Sequence, residues 1–278
     1  MNCFFVSDLH GRIDRYEKLF NLIIAEKPEI VFFGGDLLPS FNLFDDFITE
    51  FFVKNLLLVK DNLKETYPEI FVILGNDDLK SEEEKLISAQ DKNLFHYINL
   101  RKISFENINV YGYSCVPPSP FLLKDWEKYD VSRYVDPGCV SPEEGFRSVK
   151  IEESEIKFST IKNDLDRLIN NEDVRESVFL FHSPPYKTNL DRLDNDGKFI
   201  DYVPLDNFAG SIAIRKFIEN HQPMLTLHGH IHESARKTGN WRDKIGRTHC
   251  FSAAHDGPEL ALVKFDTNNL DLAERFLI

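Results

Sequence analysis

Strand-length apolar runs alternate with helical-period segments through the first third of this chain, and this alternation limits the folds open to it. Cys3–Ser7 is a short apolar run, followed by Ile13, Tyr16, Leu19, Phe20, Ile23 and Ile24 at helical spacing. Pro28 closes that helix. Ile30–Gly34 predicts a second strand, Leu43–Glu65 a long helix with an apolar face, and Ile70–Leu74 a third strand. Ser81 predicts a helix cap, with Glu82–Glu84 in the first turn. Strands separated by helices require a parallel sheet with helices on its face.

The pattern then changes. Lys102–Glu106 and Ile108–Tyr113 predict two strands joined by a turn at Asn107. Residues 114–150 have no clean period, hold Pro117, Pro118, Pro120, Pro137 and Pro142, and read as an irregular insertion. Helices are expected over Glu153–Asn171 and Asp206–Asn220, and strands at Val178–Phe181, Met224–Leu227, Arg247–Ala253, Leu260–Phe265 and Leu272–Leu277. The expected fold is α/β, with two packed mixed β-sheets in a sandwich flanked by α-helices. No repeat, low-complexity tract or linker divides the chain, so residues 1–278 are expected to form one domain.

Charge narrows the function. The chain has 33 Lys+Arg against 46 Asp+Glu, a net charge of −13. Such a balance repels a phosphate backbone, so general nucleic-acid binding is disfavoured. Small anionic substrates stay open, because a bound metal can outweigh the net field. No apolar run reaches the roughly 18–20 residues that span a bilayer. The N-terminus lacks the basic segment of a signal peptide. Cys3, Cys115, Cys139 and Cys250 form no C-x-x-C pair, which fits a reduced, cytoplasmic protein.

The residues that bear chemistry fall where predicted strands end. They are Asp8-Leu9-His10, Gly35-Asp36, Gly75-Asn76-Asp77-Asp78, His182 and Gly229-His230-Ile231-His232. Active sites of open α/β sheets lie beyond the carboxyl ends of strands. Carboxylate oxygen with imidazole nitrogen is a borderline donor set, suited to Mn, Fe, Zn or Ni. The set is too large for one catalytic zinc, which takes three protein ligands and keeps an open position. It suits two ions about 3.5–4 Å apart sharing one carboxylate. Any one piece alone is weak, since Gly-Asp is a common turn and a lone histidine is usually structural. The ordered set carries the signal.

That ordered set resembles the calcineurin-like metallophosphoesterase superfamily, whose pattern is D-x-H, G-D, G-N-H-(D/E), a lone H, and G-H-x-H. The match runs from Asp8 to His232. The resemblance implies a two-sheet sandwich with a dinuclear centre at one end. It implies that Asp8, His10 and His232 hold one divalent transition-metal ion, that Asn76, His182 and His230 hold a second, and that Asp36 bridges them. A hydroxide between the ions would attack phosphorus in line, water's pKa having fallen from about 15.7 to about 7.

Two departures matter. The family's G-N-H histidine, which can donate a proton to the leaving group, is Asp77 here. Asp77 and Asp78 are then the candidates for that step, and a carboxyl serves it only with a raised pKa. The rate is expected to fall steeply as the leaving group's pKa rises. The protein Ser/Thr phosphatases of the superfamily carry G-D-x-x-D-R-G and R-G-N-H-E. Here Gly35-Asp36-Leu37-Leu38-Pro39-Ser40 and Leu74-Gly75 lack both arginines, which argues against a protein phosphatase.

Substrate contacts are less marked. Trp126 and Tyr129 can stack on a base or pack on the body of the protein. Lys187 can reach a phosphate or stand solvated, Gly210-Ser211 opens a helix whose amides suit an anion, and Arg215 in that helix can pair with an acid. His255 follows a late strand and can approach the centre, though a histidine beside an Asp-Gly turn is usually solvated, whereas His96, His221 and His249 read as structural. The expected function is hydrolysis of a small-molecule, nucleotide-like phosphoester, diesters before monoesters. A nuclease and a non-catalytic scaffold are the alternatives. Nothing in the sequence assigns an oligomeric state or a membrane partner.

Overall fold

The computed structural model describes residues 1–39 and 46–278. Ser40 and the start of the helix predicted from Leu43 lie outside the described residues. The elements are β1 Asn2–Val6, α1 Ile13–Glu26, β2 Ile30–Gly34, α2 Lys54–Leu63, β3 Glu69–Ile73, α3 Glu83–Ala89, β4 His96–Tyr97, β5 Lys102–Phe105 and β6 Ile108–Tyr113. They continue with α4 Glu153–Phe158, α5 Ile161–Ile169, β7 Ser177–Phe181, β8 Phe199–Ile200, β9 Val203–Pro204, α6 Ile212–His221, β10 Leu225–His228, α7 Ser234–Thr238, β11 Arg242–Ile245, β12 Thr248–Ser252, β13 Ala261–Asp266 and β14 Asn269–Leu277.

Two six-stranded mixed sheets result, in the orders β14-β13-β1-β2-β3-β4 and β11-β12-β10-β7-β6-β5. The inner strands β1, β2 and β3 run parallel, as do β6, β7, β10 and β12. Antiparallel strands β13 and β14 close one side of the first sheet and parallel β4 the other, while antiparallel β5 and β11 close the second.

The side-chain period of two sorts the core into layers. Cys3, Phe5, Ile30, Phe32, Phe71 and Ile73 face the second sheet and meet Val110, Val178, Leu180, Leu225 and Leu227. Their neighbours Phe4, Val6, Val31, Phe33, Ile70 and Val72 face outward, under α1 and α2. Both faces are buried, which is why these strands read as unbroken apolar runs rather than alternating ones.

Several boundaries differ from the sequence reading. The helix expected over Glu153–Asn171 is two helices, α4 and α5, because Ser159 and Thr160 are extended and the Thr160 side chain caps Asn163 N at 3.1 Å. The expected Ser81 cap is absent: Lys80–Glu82 is a 3-10 turn, α3 starts at Glu83 without a side-chain cap, and Ser81 N donates to Ser148 Oγ. The helix expected from Asp206 starts at Ile212, capped by Ser211. A wide-turn segment, Ile48–Val53, leads into α2. The insertion carries no helix and no strand, only isolated bridges. Among the described residues no helix is long and apolar enough to cross a membrane.

Candidate metal centre

The parallel strands of both sheets end on the same side and deliver the marked residues to one place. Asp8, Asp36 and Asn76 follow β1, β2 and β3; His182 and His230 follow β7 and β10. The loops after β1 and β2 are zipped together: Asp8 N donates to Gly35 O at 2.9 Å and His10 N to Asp36 O at 2.8 Å. Asp8, His10, Asp36 and His230 all have left-handed backbone, with φ between 48° and 73°. Such φ values cost non-glycine residues energy and persist where surrounding bonds fix them. Gly35 and Gly75 are required by space: a Cβ on Gly35 would lie 2.6 Å from His182 Nδ1, and one on Gly75 2.3 Å from Asp36 Oδ1.

Two donor groups form, and Asp36 belongs to both. In the first, donor atoms of Asp8, His10, Asp36 and His232 lie within 4.8 Å of one another; in the second, those of Asp36, His182 and His230 do. Asn76 joins the second, its Oδ1 3.0 Å from His182 Nε2. His232 Nε2 is 3.1 Å from Asp8 Oδ1 and 3.3 Å from His10 Nε2; His182 Nε2 is 3.2 Å from Asp36 Oδ2. His182 Nδ1 lies 2.8 Å from Gly34 O, a carbonyl that can only accept, and Nε2 faces the centre. Ser7 Oγ donates to Asp8 Oδ2, and His230 N to Asp8 Oδ1.

The electrostatics call for a cation. Asp8 and Asp36 are almost wholly buried, and their ion pairs among the described residues are with histidines alone. Burial opposes charge on Asp8 and Asp36, yet the facing imidazoles hold both carboxyls below the usual range. The reciprocal effect overcomes burial and lifts His182 to about 10 and His232 to about 9. Burial and His182 push His230 down to about 3. Buried carboxylate, imidazole and amide-oxygen donors converging without a lysine or arginine fit a pair of borderline divalent ions.

Asp77 and Asp78 part ways. Asp77 N donates to Asp36 Oδ1, Asn76 Nδ2 donates to Asp77 Oδ1, and Asp77 Oδ2 stands 3.7 Å from His10 Nδ1. Its side chain is 42% exposed and lines a cavity; burial and Asp36 raise its pKa. Asp78 is fully buried, and its carboxyl accepts Leu37 N, Leu38 N and Gly75 N at 3.1, 2.7 and 2.9 Å. Burial and then Asp36 push it up to about 7. Contrary to the sequence expectation, its carboxyl faces loop amides and not the cavity, so it fixes the loops after β2 and β3. Asp78→Ala leaves three amides without an acceptor and is expected to cost about 3 kcal/mol of stability, read from urea denaturation. A loss under about 1 kcal/mol would remove it from that role.

Other expectations resolve similarly. Trp126 and Tyr129 are buried, and Trp126 Nε1 donates to Asp78 O, so neither ring is free to stack. The start of α6 is filled by Asp130, whose carboxylate accepts Ile212 N at 2.6 Å and Ala213 N at 3.1 Å. Lys187 lies over the Tyr186 ring, Arg215 pairs with Glu219, and His255 contacts Glu259 at 2.9 Å, outside both donor groups. His96 pairs with Glu69. The sequence reading missed two arginines, Arg15, which is buried, and Arg275, which is half-buried. Arg15 donates to Asp8 O and Gly257 O, and Arg275 to Ala254 O. Arg15 braces the Asp8 loop and Arg275 the loop at Ala254, and no local motif announces either.

A cavity of about 600 Å³ opens from the centre at Asp36, Asn76, His230 and His232 and runs between the insertion and residues 186–212. It leaves no trace in any local sequence pattern.

No curated protein matches this sequence. Solved structures share the fold at low identity. A protein of Thermus thermophilus aligns with a TM-score of 0.58 at 14% identity, covering 99% of this chain and 98% of that one. A dimetal phosphatase from Danio rerio aligns with a TM-score of 0.54 at 11% identity, covering 95% and 91%. A phosphopantetheinyl hydrolase from Mycobacterium tuberculosis aligns with a TM-score of 0.50 at 11% identity, covering 91% and 89%. The family model for calcineurin-like phosphoesterase matches residues 1–234. With a match over most of its length and the two-sheet fold, the chain belongs to the calcineurin-like phosphoesterase family.

Proposed function

We propose that this chain hydrolyses small-molecule phosphoesters, diesters in preference to monoesters, with two divalent transition-metal ions at the strand ends. The observation that carries this reading is the membership of Asp36 in both donor groups. Asp8, His10 and His232 are assigned to one ion, Asn76, His182 and His230 to the other, and Asp36 to both. When bound, such ions lower the pKa of water towards neutrality and stabilise charge on phosphoryl oxygens.

The chain's own groups set the geometry. Gly34 O holds His182 in one tautomer, the left-handed turns aim Asp8, Asp36 and His230, and Asp78 fixes the loop that carries Asn76. In the reaction a water oxygen bonds to phosphorus, the ester P–O bond breaks, and the departing oxygen takes up a proton. Asp77 faces the cavity in the place of the family's histidine and is the side chain next to that departing oxygen. A diester brings one negative charge and a monoester about two at neutral pH. The charged walls next to the centre are Asp77 and Glu233, which favour the smaller charge.

Hydrolysis of bis(p-nitrophenyl) phosphate by metal-stripped protein, with and without Mn²⁺, tests the reading. Turnover is expected only with metal, p-nitrophenyl phosphate is expected to be slower, and reloaded protein is expected to carry two ions per chain. Protein that takes up no Mn, Fe, Zn or Ni and turns over neither ester would overturn it.

A further inference from the structure

We infer that the cavity beside the centre receives the organic part of the substrate, and that this part is bulky, apolar and free of a second anionic group. The inference rests on the phosphoesterase reading above and narrows it to a substrate class.

Continuity comes first. One cavity has the candidate ligands Asp36, Asn76, His230 and His232 at one end, and Pro117, Leu193, Leu205 and Phe208 as walls farther out. Phe121 and Tyr134 form its exposed rim. Its volume, about 600 Å³, is that of a site for a small organic molecule. A phosphoryl group held at the centre therefore directs an ester substituent into apolar surroundings.

The wall is built rather than loosely draped. Lys124 and Glu127 form a salt bridge inside the insertion, at 0% and 1% exposure. Lys124 Nζ donates to Ser119 O at 3.0 Å, and Glu127 Oε2 accepts Ser119 N at 2.8 Å. This pair clamps the Pro117–Phe121 turn from behind. Asp130 ties the same insertion to α6 through Ser211 Oγ at 2.6 Å as well as through the helix amides.

Charge excludes a second anion. Among the described residues no lysine or arginine lines the cavity, and its charged walls other than the candidate ligands are Asp77, Asp130, Asp136, Asp206 and Glu233. Of the nearby cations, Arg192 lies over the Phe208 ring but pairs with Asp196, Arg133 pairs with Glu143, and Lys187 lies over the Tyr186 ring and not in the lining. The amides at the start of α6, the natural place for a second phosphate, already hold the Asp130 carboxylate. A nucleoside di- or triphosphate or a sugar bisphosphate would bring an extra anion against these carboxylates with no lysine or arginine in the lining to receive it. A diester with one phosphoryl group and an aromatic or aliphatic body meets no such cost.

Calorimetry with Mn²⁺-loaded protein separates the possibilities through three non-hydrolysable probes: methylphosphonate, 4-phenylbutylphosphonate and butane-1,4-diphosphonate. The phenylbutyl probe is expected to bind at least about tenfold more tightly than the methyl probe, and the diphosphonate no more tightly than the methyl one. Phe208→Ala is expected to cut the phenylbutyl-to-methyl preference about fivefold. Asp136→Asn is expected to raise diphosphonate affinity severalfold relative to phenylbutyl. A diphosphonate that binds as tightly as the phenylbutyl probe, or a preference untouched by Phe208→Ala, would overturn the inference. If bis(p-nitrophenyl) phosphate is hydrolysed while the apolar preference is missing, the phosphoesterase reading stands and the substrate class falls. If the preference is present and no ester is hydrolysed, the cavity assignment stands and the hydrolytic reading falls.

Discussion

Asp36→Asn is expected to lower kcat/KM for bis(p-nitrophenyl) phosphate by on the order of 10³-fold, about 4 kcal/mol of barrier. The substitution keeps volume, and its carbonyl oxygen can still accept Asp77 N, so the loop between β3 and α3 stays anchored. What it removes is the charge shared by both donor groups. Asp36 Oδ2, 3.2 Å from His182 Nε2, becomes an amide that presents hydrogens where a lone pair stood. Metal content measured by mass spectrometry is expected to fall from two ions per chain to one or fewer, with the melting temperature of metal-stripped protein little changed. Turnover within about tenfold of wild type, at full metal content, would show that Asp36 bridges nothing.

Asp77→His is expected to change how the rate depends on the leaving group. In the natural chain, log kcat/KM across a series of aryl phosphodiesters should fall steeply with the pKa of the released phenol. Burial and Asp36 raise the Asp77 pKa, but its oxygens are already occupied: Asn76 Nδ2 donates to one, His10 Nδ1 faces the other at 3.7 Å, and the group is partly open to solvent. A histidine there offers an N–H donor with a pKa near neutrality, and general acids of that kind contribute about 10²–10⁴-fold. The variant is therefore expected to gain on the order of 10²-fold on esters whose leaving group has a pKa above about 9, and little on p-nitrophenyl esters. Parallel slopes for the two proteins would mean that the departing oxygen finds its proton elsewhere.

Much of the fold was legible because β1, β2, β3 and β7 are buried on both faces. A strand of that kind ends abruptly where polarity returns, and Asp8, Asp36, Asn76 and His182 sit at those edges. Strands on the outside of the sheets were harder. β11 reads Arg-Asp-Lys-Ile, and its largely exposed face leaves no apolar pattern. The amphipathic signal over Glu153–Asn171 hid the break at Ser159 and Thr160, since hydrophobic period carries across a change of axis. Asp78 looked like a partner of Asp77; only burial and three loop amides distinguish the two. The cavity was out of reach of any local pattern. Its walls come from residues 117–139 and 186–212, and Asp130 closes α6 across 82 positions.

The pairing of β1 with β13 has a consequence for biosynthesis. Cys3 lies beside Phe265 and Phe5 beside Val263, so one edge of β1 waits for a strand made near the other end of the chain. At ribosomal rates of about 5–20 residues per second, that wait is on the order of 10–50 s. During it, Phe4, Phe5 and Val6 offer unpaired backbone and apolar side chains to any neighbour. Asp8 likewise meets His232 only after 224 further positions have been made. From the synthesis of β1 to that of β13 the nascent chain therefore carries β1 half-paired, an exposed edge of the kind that chaperones shield.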